Sequence, residues 1–290
     1  TMNTIGKLGV WAVPDLLSTR EIIELAQGVE NLGYSALWYP EGIGFESLSF
    51  GSFVLSQTKK LFAASGIANI YARDAVTAIS GHNTLNKLYG DRFILGLGVS
   101  HVPLVESFRG HTYGKPVTTM RKYLDSIDNA ELTINVPDRN IVLAALGPNM
   151  LALARDRTKG AHPYLVTPEH TRLAREILGP KSLLLVEQKV CLTTDPDKAR
   201  QLAANVLKTY LPWPNYRNNW LRLGFTEDDL SGPGSPHFLD AMVAWGTVDR
   251  LKKRINEHLS AGADHVCIQA LHPDGNGKVD WKVLELLADI

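Results

Sequence analysis

The sequence is poor in cysteine, balanced in charge and without a long apolar run, and each shortage excludes a class of protein. Cys191 and Cys267 are its two cysteines. Each sits in an apolar, strand-like stretch (Lys189-Val-Cys-Leu and His265-Val-Cys-Ile), where a buried free thiol is expected rather than a disulfide or a metal ligand. No Cys/His cluster has zinc spacing, so no metal site is expected. Basic and acidic residues number 30 each, and neither sign forms a block, which speaks against nucleic acid or an anionic membrane as partner. No apolar stretch reaches the roughly 18 residues that span a bilayer. No basic segment with an apolar core and cleavage site opens the chain, and a cytoplasmic protein is expected. Thr1 ahead of Met2 reads as a non-native addition. A Gly-x-Ser-x-Gly elbow, a Walker loop and a zinc-protease helix are also missing.

What remains is an ordinary globular composition, 44% hydrophobic and 21% charged over 290 residues, enough for one large α/β barrel or two medium domains. One unit recurs. Lys7-Leu-Gly-Val-Trp-Ala-Val13 suits a buried parallel strand ended by Pro14. Ser18-Thr-Arg-Glu21 matches a capping box, and Ile22, Leu25, Ala26, Val29 and Leu32 follow at helical spacing until Gly33. Ser35-Ala-Leu-Trp-Tyr39 is the next strand, completing a βαβ unit. The unit returns near the other end, where Thr247 can cap a helix carrying Leu251, Ile255 and Leu259 before Gly262 and Asp264-His-Val-Cys-Ile-Gln269.

Two looser copies lie between: a helix over 75–89 before Arg92-Phe-Ile-Leu-Gly-Leu97, and one over 149–157 before His162-Pro-Tyr-Leu-Val166. Additional strands are expected at 61–65, 140–145 and 183–192. Eight strands separated by helices predict an α/β fold of the (β/α)8 TIM barrel type, residues 1–290 forming a single domain. An open doubly wound sheet is the alternative, although the first strand lacks the glycine-rich dinucleotide turn. Residues 210–240, aromatic and punctuated by proline, break the rhythm. They read as an insertion after the seventh strand, either a substrate lid or a packing loop.

Catalytic groups of such a barrel gather at the C-terminal strand ends. There the sequence places Glu41 and Gly42, then Gly66, Ile67, Ala68 and Asn69, then Gly96, Gly98, Ser100 and His101. Gly147, Pro148, Asn149 and Met150 follow the fifth strand, and His162, Pro163 and Tyr164 lie around the sixth. The Gly147–Met150 turn, with Asn149 as possible N-cap, offers a helix N-terminus to a phosphate. Gly96 and Gly98 would let a flat ligand approach the backbone. Glu41 and His101 are the candidate proton-handling groups. His258 is expected at the surface, and His82 and His170 in helix-entry segments.

Taken in order, Ala36-Leu-Trp-Tyr-Pro-Glu41, Gly66-Ile-Ala-Asn-Ile-Tyr-Ala-Arg73, Arg92-Phe-Ile-Leu-Gly-Leu-Gly98, Ala144-Ala-Leu-Gly-Pro-Asn149 and Ala244-Trp-Gly-Thr-Val-Asp249 through Asp264 resemble the luciferase-like oxidoreductases. Val99-Ser-His-Val-Pro103, Tyr123-Leu-Asp125, Tyr164-Leu-Val-Thr-Pro168, Pro214-Asn-Tyr216 and Leu223-Gly-Phe225 are similar to the branch that uses the deazaflavin coenzyme F420. The resemblance implies a non-prolyl cis peptide at Gly66-Ile67 that props the central ring, with Ala68 and Gly98 beside it. It implies a phosphate contact at Gly147–Met150, and Glu41, Asn69, Ser100 and His162–Tyr164 around the ring or its side chain. Many relatives carry histidine where this chain has Gly42, which passes proton handling to His101. The implied activity is hydride transfer between the deazaflavin C5 and a small organic substrate, in a homodimer. An FMN-dependent monooxygenase and a non-catalytic flavin-binding barrel are the alternatives.

Overall fold

The computed structural model describes residues 4–290, so Thr1 and Met2 lie outside the described residues. In chain order the elements are β1 (Leu8–Trp11), α1 (Thr19–Asn31), β2 (Ala36–Tyr39), α2 (Ser47–Ser56), β3 (Phe62–Ser65), β4 (Ala68–Asn69) and α3 (Ala75–Tyr89). There follow β5 (Phe93–Gly98), α4 (Pro116–Asp128), β6 (Ile141–Leu143), α5 (Pro148–Arg157), β7 (Gly160–Ala161), α6 (Pro168–Leu178) and β8 (Leu183–Cys191). The chain ends with α7 (Pro196–Leu207), α8 (Pro214–Arg222), α9 (Pro236–Met242), β9 (Val243–Trp245), α10 (Val248–Ser260), β10 (His265–Ala270) and α11 (Trp281–Leu287).

Strands pair in the order β10-β1-β2-β3-β5-β6-β7-β8, and β8 pairs back onto β10, so the sheet closes into an eight-stranded parallel barrel. The open-sheet alternative is thereby set aside. β4 pairs with β5, and β9 with the far end of β8. Closure follows from strands that are apolar on both faces. In β2, Ala36 and Trp38 point into the barrel while Leu37 and Tyr39 face the helices, the alternation that a pleated strand imposes. Trp11, Phe62, Ile94, Val142, Leu185 and Cys267 join Trp38 in filling the interior.

The helix signals act as the sequence implies. Ser18 Oγ accepts from Glu21 N while the Glu21 carboxylate accepts from Ser18 N at 2.8 Å, a reciprocal cap of the kind in which one bond is worth about 1 kcal/mol. Gly90, at φ 65°, ends α3 in the left-handed conformation that a side chain would disfavour. Thr247 caps α10.

Three expectations are corrected. The sixth strand lies at Gly160–Ala161 rather than 162–166, because Pro163 has no N–H for a ladder and Leu165 takes a φ of 58°. His258 is buried rather than at the surface. It lies between Thr171 Oγ1 and Gln188 Oε1, each at 2.8 Å, because that edge of α10 turns onto α6 and β8. His82 sits inside α3 instead of at its entry, its Nε2 accepting from Asn140 N at 2.9 Å.

Residues 210–240 contain α8 and gather Leu211, Trp220, Phe225, Leu230 and Phe238 into a small apolar cluster against α7. Trp220 Nε1 donates to the Leu165 carbonyl at 3.1 Å, which ties the segment to the barrel mouth after β7.

Candidate functional site

A cavity of about 280 Å³ opens at the C-terminal mouth of the barrel beneath α8. Ile67, Gly98, Ser100, His101, Gly147, Pro148, Asn149, Met150, His162 and Tyr164 line it, so the ends of β3 and of β5 to β7 converge there as the sequence implies. Gly66, Ala68, Asn69, Pro163 and Glu41 are not on its wall.

Glu41, a candidate for proton handling, lies in a bonded network apart from this cavity. Its carboxylate is buried, ion-paired with Arg73, and accepts from Ser47 N at 2.6 Å and Asn69 N at 2.9 Å. Arg73 also reaches Glu46 at 2.9 Å. With its oxygens so engaged, Glu41 clamps the start of α2 to the segment after β3, and it borders a separate hollow with Arg73 and Arg109.

The peptide between Gly66 and Ile67 is cis. The neighbouring glycines of β5 make room for this bulge, and Gly98 also lines the cavity. A Cβ on Gly96 would overlap the Ser65 carbonyl oxygen, and one on Gly98 would overlap Ile67 Cδ1. Ile67 is thereby presented to the cavity across Gly98.

At α5 the cap is Gly147, with Pro148 in the first turn, and no side chain caps the helix; Asn149 lies inside the first turn and does not serve as cap. Unpaired N–H groups and the positive dipole end remain there. The Leu146 carbonyl is held at 2.7 Å by His170 Nε2. Arg222 stands over the turn: a Cβ on Gly147 would lie 3.0 Å from its Nη2. Its side chain is bonded to Asn219 Oδ1 at 3.3 Å, and no carboxylate pairs with it among the described residues. Sequence reasoning missed Arg222. The available signal was Asn215, Asn218 and Arg222 at helical spacing behind Pro214, a polar stripe on one face of α8.

His101 stacks on Trp213 and Tyr216, with ring centroids 4.2 and 5.1 Å away. Its Nδ1 is buried without a partner, and burial lowers its pKa to about 4. The imidazole is therefore neutral near neutral pH, with one N–H and one lone pair. His162 is alike in charge. Burial holds it near 4 although Nδ1 donates to the Leu185 carbonyl at 2.8 Å, which leaves the lone pair on Nε2. That Nε2 and the Trp11 indole N–H are both buried, unpartnered and beside Gly66. Trp11 was not expected here. Tyr164 bonds Gln269 Oε1 at 3.2 Å and Tyr210 at 3.3 Å. Behind it Lys189 pairs with Glu187 at 3.0 Å, fully buried, and burial raises the Glu187 pKa while lowering that of Lys189. The loop after β5 and α8 are latched together, Asn215 Nδ2 donating to the Ser100 carbonyl at 3.2 Å.

A parallel barrel with a ring-sized, mostly apolar cavity at its strand ends and an anion-ready helix terminus beside it is the architecture of a cofactor-dependent enzyme. The chain belongs to the luciferase-like monooxygenase family, whose profile matches residues 4–265. It is 25% identical over 226 residues to a Mycobacterium tuberculosis protein named as a coenzyme F420-dependent oxidoreductase, a match covering 76% of this chain and 59% of that one. It is 23% identical over 291 residues to the 5,10-methylenetetrahydromethanopterin reductase of Methanolobus tindarius, covering 85% and 89%. In fold it is similar to an F420-dependent secondary alcohol dehydrogenase solved with an F420-acetone adduct, at a TM-score of 0.76, 14% identity and coverage of 99% and 98%.

Proposed function

We propose that this chain is a coenzyme F420-dependent oxidoreductase that moves a hydride between the deazaflavin C5 and a small organic substrate. The observation that carries the reading is the continuity of the cavity with the α5 terminus: an apolar seat at Ile67 and Gly98 runs into an uncapped helix end facing an unpaired guanidinium. A planar ring with a phosphate-bearing side chain fits both parts. The buried, unpartnered Nε2 of His162 and N–H of Trp11 await polar atoms beside the seat. The mycobacterial and methanogen relatives support the same choice.

The deazaflavin, when bound, supplies the two-electron chemistry. The chain does the rest. Ile67 and Gly98 seat the ring, while the Asn149 and Met150 amides and Arg222 hold the phosphate through charge-assisted hydrogen bonds. In the reducing direction His101, having taken a proton from solvent, gives it to the substrate carbonyl oxygen as the carbonyl is reduced. In the oxidising direction its lone pair takes the hydroxyl proton. Glu41 and Asn69 position the bulge from behind. The 210–240 segment excludes water from above, and we assign it as the cover. Assembly as a homodimer and a cytoplasmic location belong to the same proposal; no described helix is long and apolar enough to cross a membrane.

The test is a titration of purified protein with oxidised F420 and with FMN, followed by fluorescence quenching. Micromolar binding of the deazaflavin is expected. The family's monooxygenase description favours one alternative occupant, FMN, in the same seat; binding of FMN with none of F420 would replace the proposal with that reading.

A further inference from the structure

Charge is distributed unevenly in the cavity, and this bears on what can enter beside the coenzyme. Among the described residues, Arg222 is the one charged side chain on its wall, at the α5 end, and no aspartate or glutamate lines it. His101, Tyr164 and Tyr216 add rings to the wall. His101 and Tyr216 belong to a stacked run from Trp213 to Trp220, with Tyr216 and Trp220 5.9 Å apart. The Tyr164 hydroxyl is taken by Gln269 and Tyr210, so its ring is what it can offer. Lys189 Nζ already sits 3.8 Å from the centroid of that ring.

The positive charge on the wall and the occupied Tyr164 face disfavour a cation. An ammonium group here would lose its hydration and find no counter-ion, and a Tyr164 ring already facing one ammonium has little left for another. A flat, uncharged π-system gains instead, since stacked aromatic pairs contribute about 0.5–1.5 kcal/mol beyond the area they bury. The buried imidazole of His101 supplies a polar contact beside these rings.

We infer that the substrate end of the cavity takes an uncharged, flat, conjugated carbonyl compound of quinone or aryl-enone type. It stacks on Tyr216, accepts a hydrogen bond from His101, and is preferred over ammonium compounds of the same size. The inference rests on the proposed function only in placing substrate and coenzyme in one cavity.

The test is calorimetric titration of the coenzyme-free protein, near neutral pH, with menadione and with naphthylmethylamine, probes of similar area and different charge. Menadione is expected to bind at least about tenfold more tightly. Tyr216→Ala should weaken that binding by about tenfold or more, while Tyr216→Phe retains it. Where Tyr216→Ala does not fold, Tyr216→Leu makes the same comparison. Equal or tighter amine binding, no menadione binding, or an affinity unchanged by removal of the ring would overturn the inference. A parallel F420 titration separates the two claims. Menadione selectivity without deazaflavin binding defeats the proposed function alone, and deazaflavin binding without menadione selectivity defeats this inference alone.

Discussion

The two sides of the barrel mouth use similar polar residues in opposite ways. On the β2 side, Glu41 is wrapped by Arg73 and two backbone amides. On the side where α5 and α8 meet, no carboxylate pairs with Arg222 among the described residues, and His101 keeps a buried nitrogen without a partner, as His162 does beside Gly66. Buried polar groups are nearly always hydrogen-bonded. A saturated network therefore marks scaffold, and a cluster of unsatisfied groups marks a place where something else completes the bonding. Position at a strand tip does not by itself separate the two.

The largest effect should come from breaking the saturated side. Glu41→Ala leaves Arg73, whose side chain is 6% exposed, with only the half-exposed Glu46 as counter-ion and frees two backbone amides, and should cost about 2–4 kcal/mol of stability, read by urea denaturation. A loss below about 1 kcal/mol would erase the contrast, because Glu41 would then not be scaffold. On the open side the expectation reverses. His101→Phe should preserve folding and lower turnover about 100-fold, the low end of what a positioned proton-handling group contributes. Steady-state kinetics check this once a substrate is in hand.

Arg222→Ala should weaken F420 binding by roughly 10- to 100-fold, from loss of a charged hydrogen bond of about 1.5–3 kcal/mol, with a melting temperature close to that of the parent. A large fall in melting temperature would move Arg222 to the scaffold.

A further effect, spread over a pH window, is in acid stability. His101 and His162 are held near 4, below the ordinary value of 6.5. The unfolded chain then binds more protons than the folded one as pH falls below 6.5. Stability is full above that value and declines between 6.5 and 4, by at most about 1.4 kcal/mol per unit for each group. His101→Phe should make this decline shallower, as measured by denaturation midpoints across that window. An unchanged slope would mean that the imidazole is hydrated rather than buried.

Much of the barrel could be read from local signals. A capping box, a left-handed glycine and a run of apolar residues act within a few neighbours, which is why α1, α3 and α10 begin or end where Ser18, Gly90 and Thr247 dictate. Long-range matters escaped. His258 looked exposed from its own helix and is buried by two others. Gly96 and Gly98 both accommodate a bulge from β3, which no local signal announced, and of the two Gly98 reaches the cavity wall. Arg222 lies 75 positions after the Gly147 turn it faces, and no spacing rule links them (222 minus 147).

By itself the sequence determined the periodic order of strand and helix, the caps, and the glycine and proline positions at strand ends, because those depend on backbone conformation and on neighbours a few residues away. Which polar groups at those ends are satisfied, and which stay open to a ligand, was decided only by tertiary structure. Hydrogen-bond saturation depends on atoms brought together from distant strands, as Arg73 is to Glu41 and as no carboxylate is to Arg222.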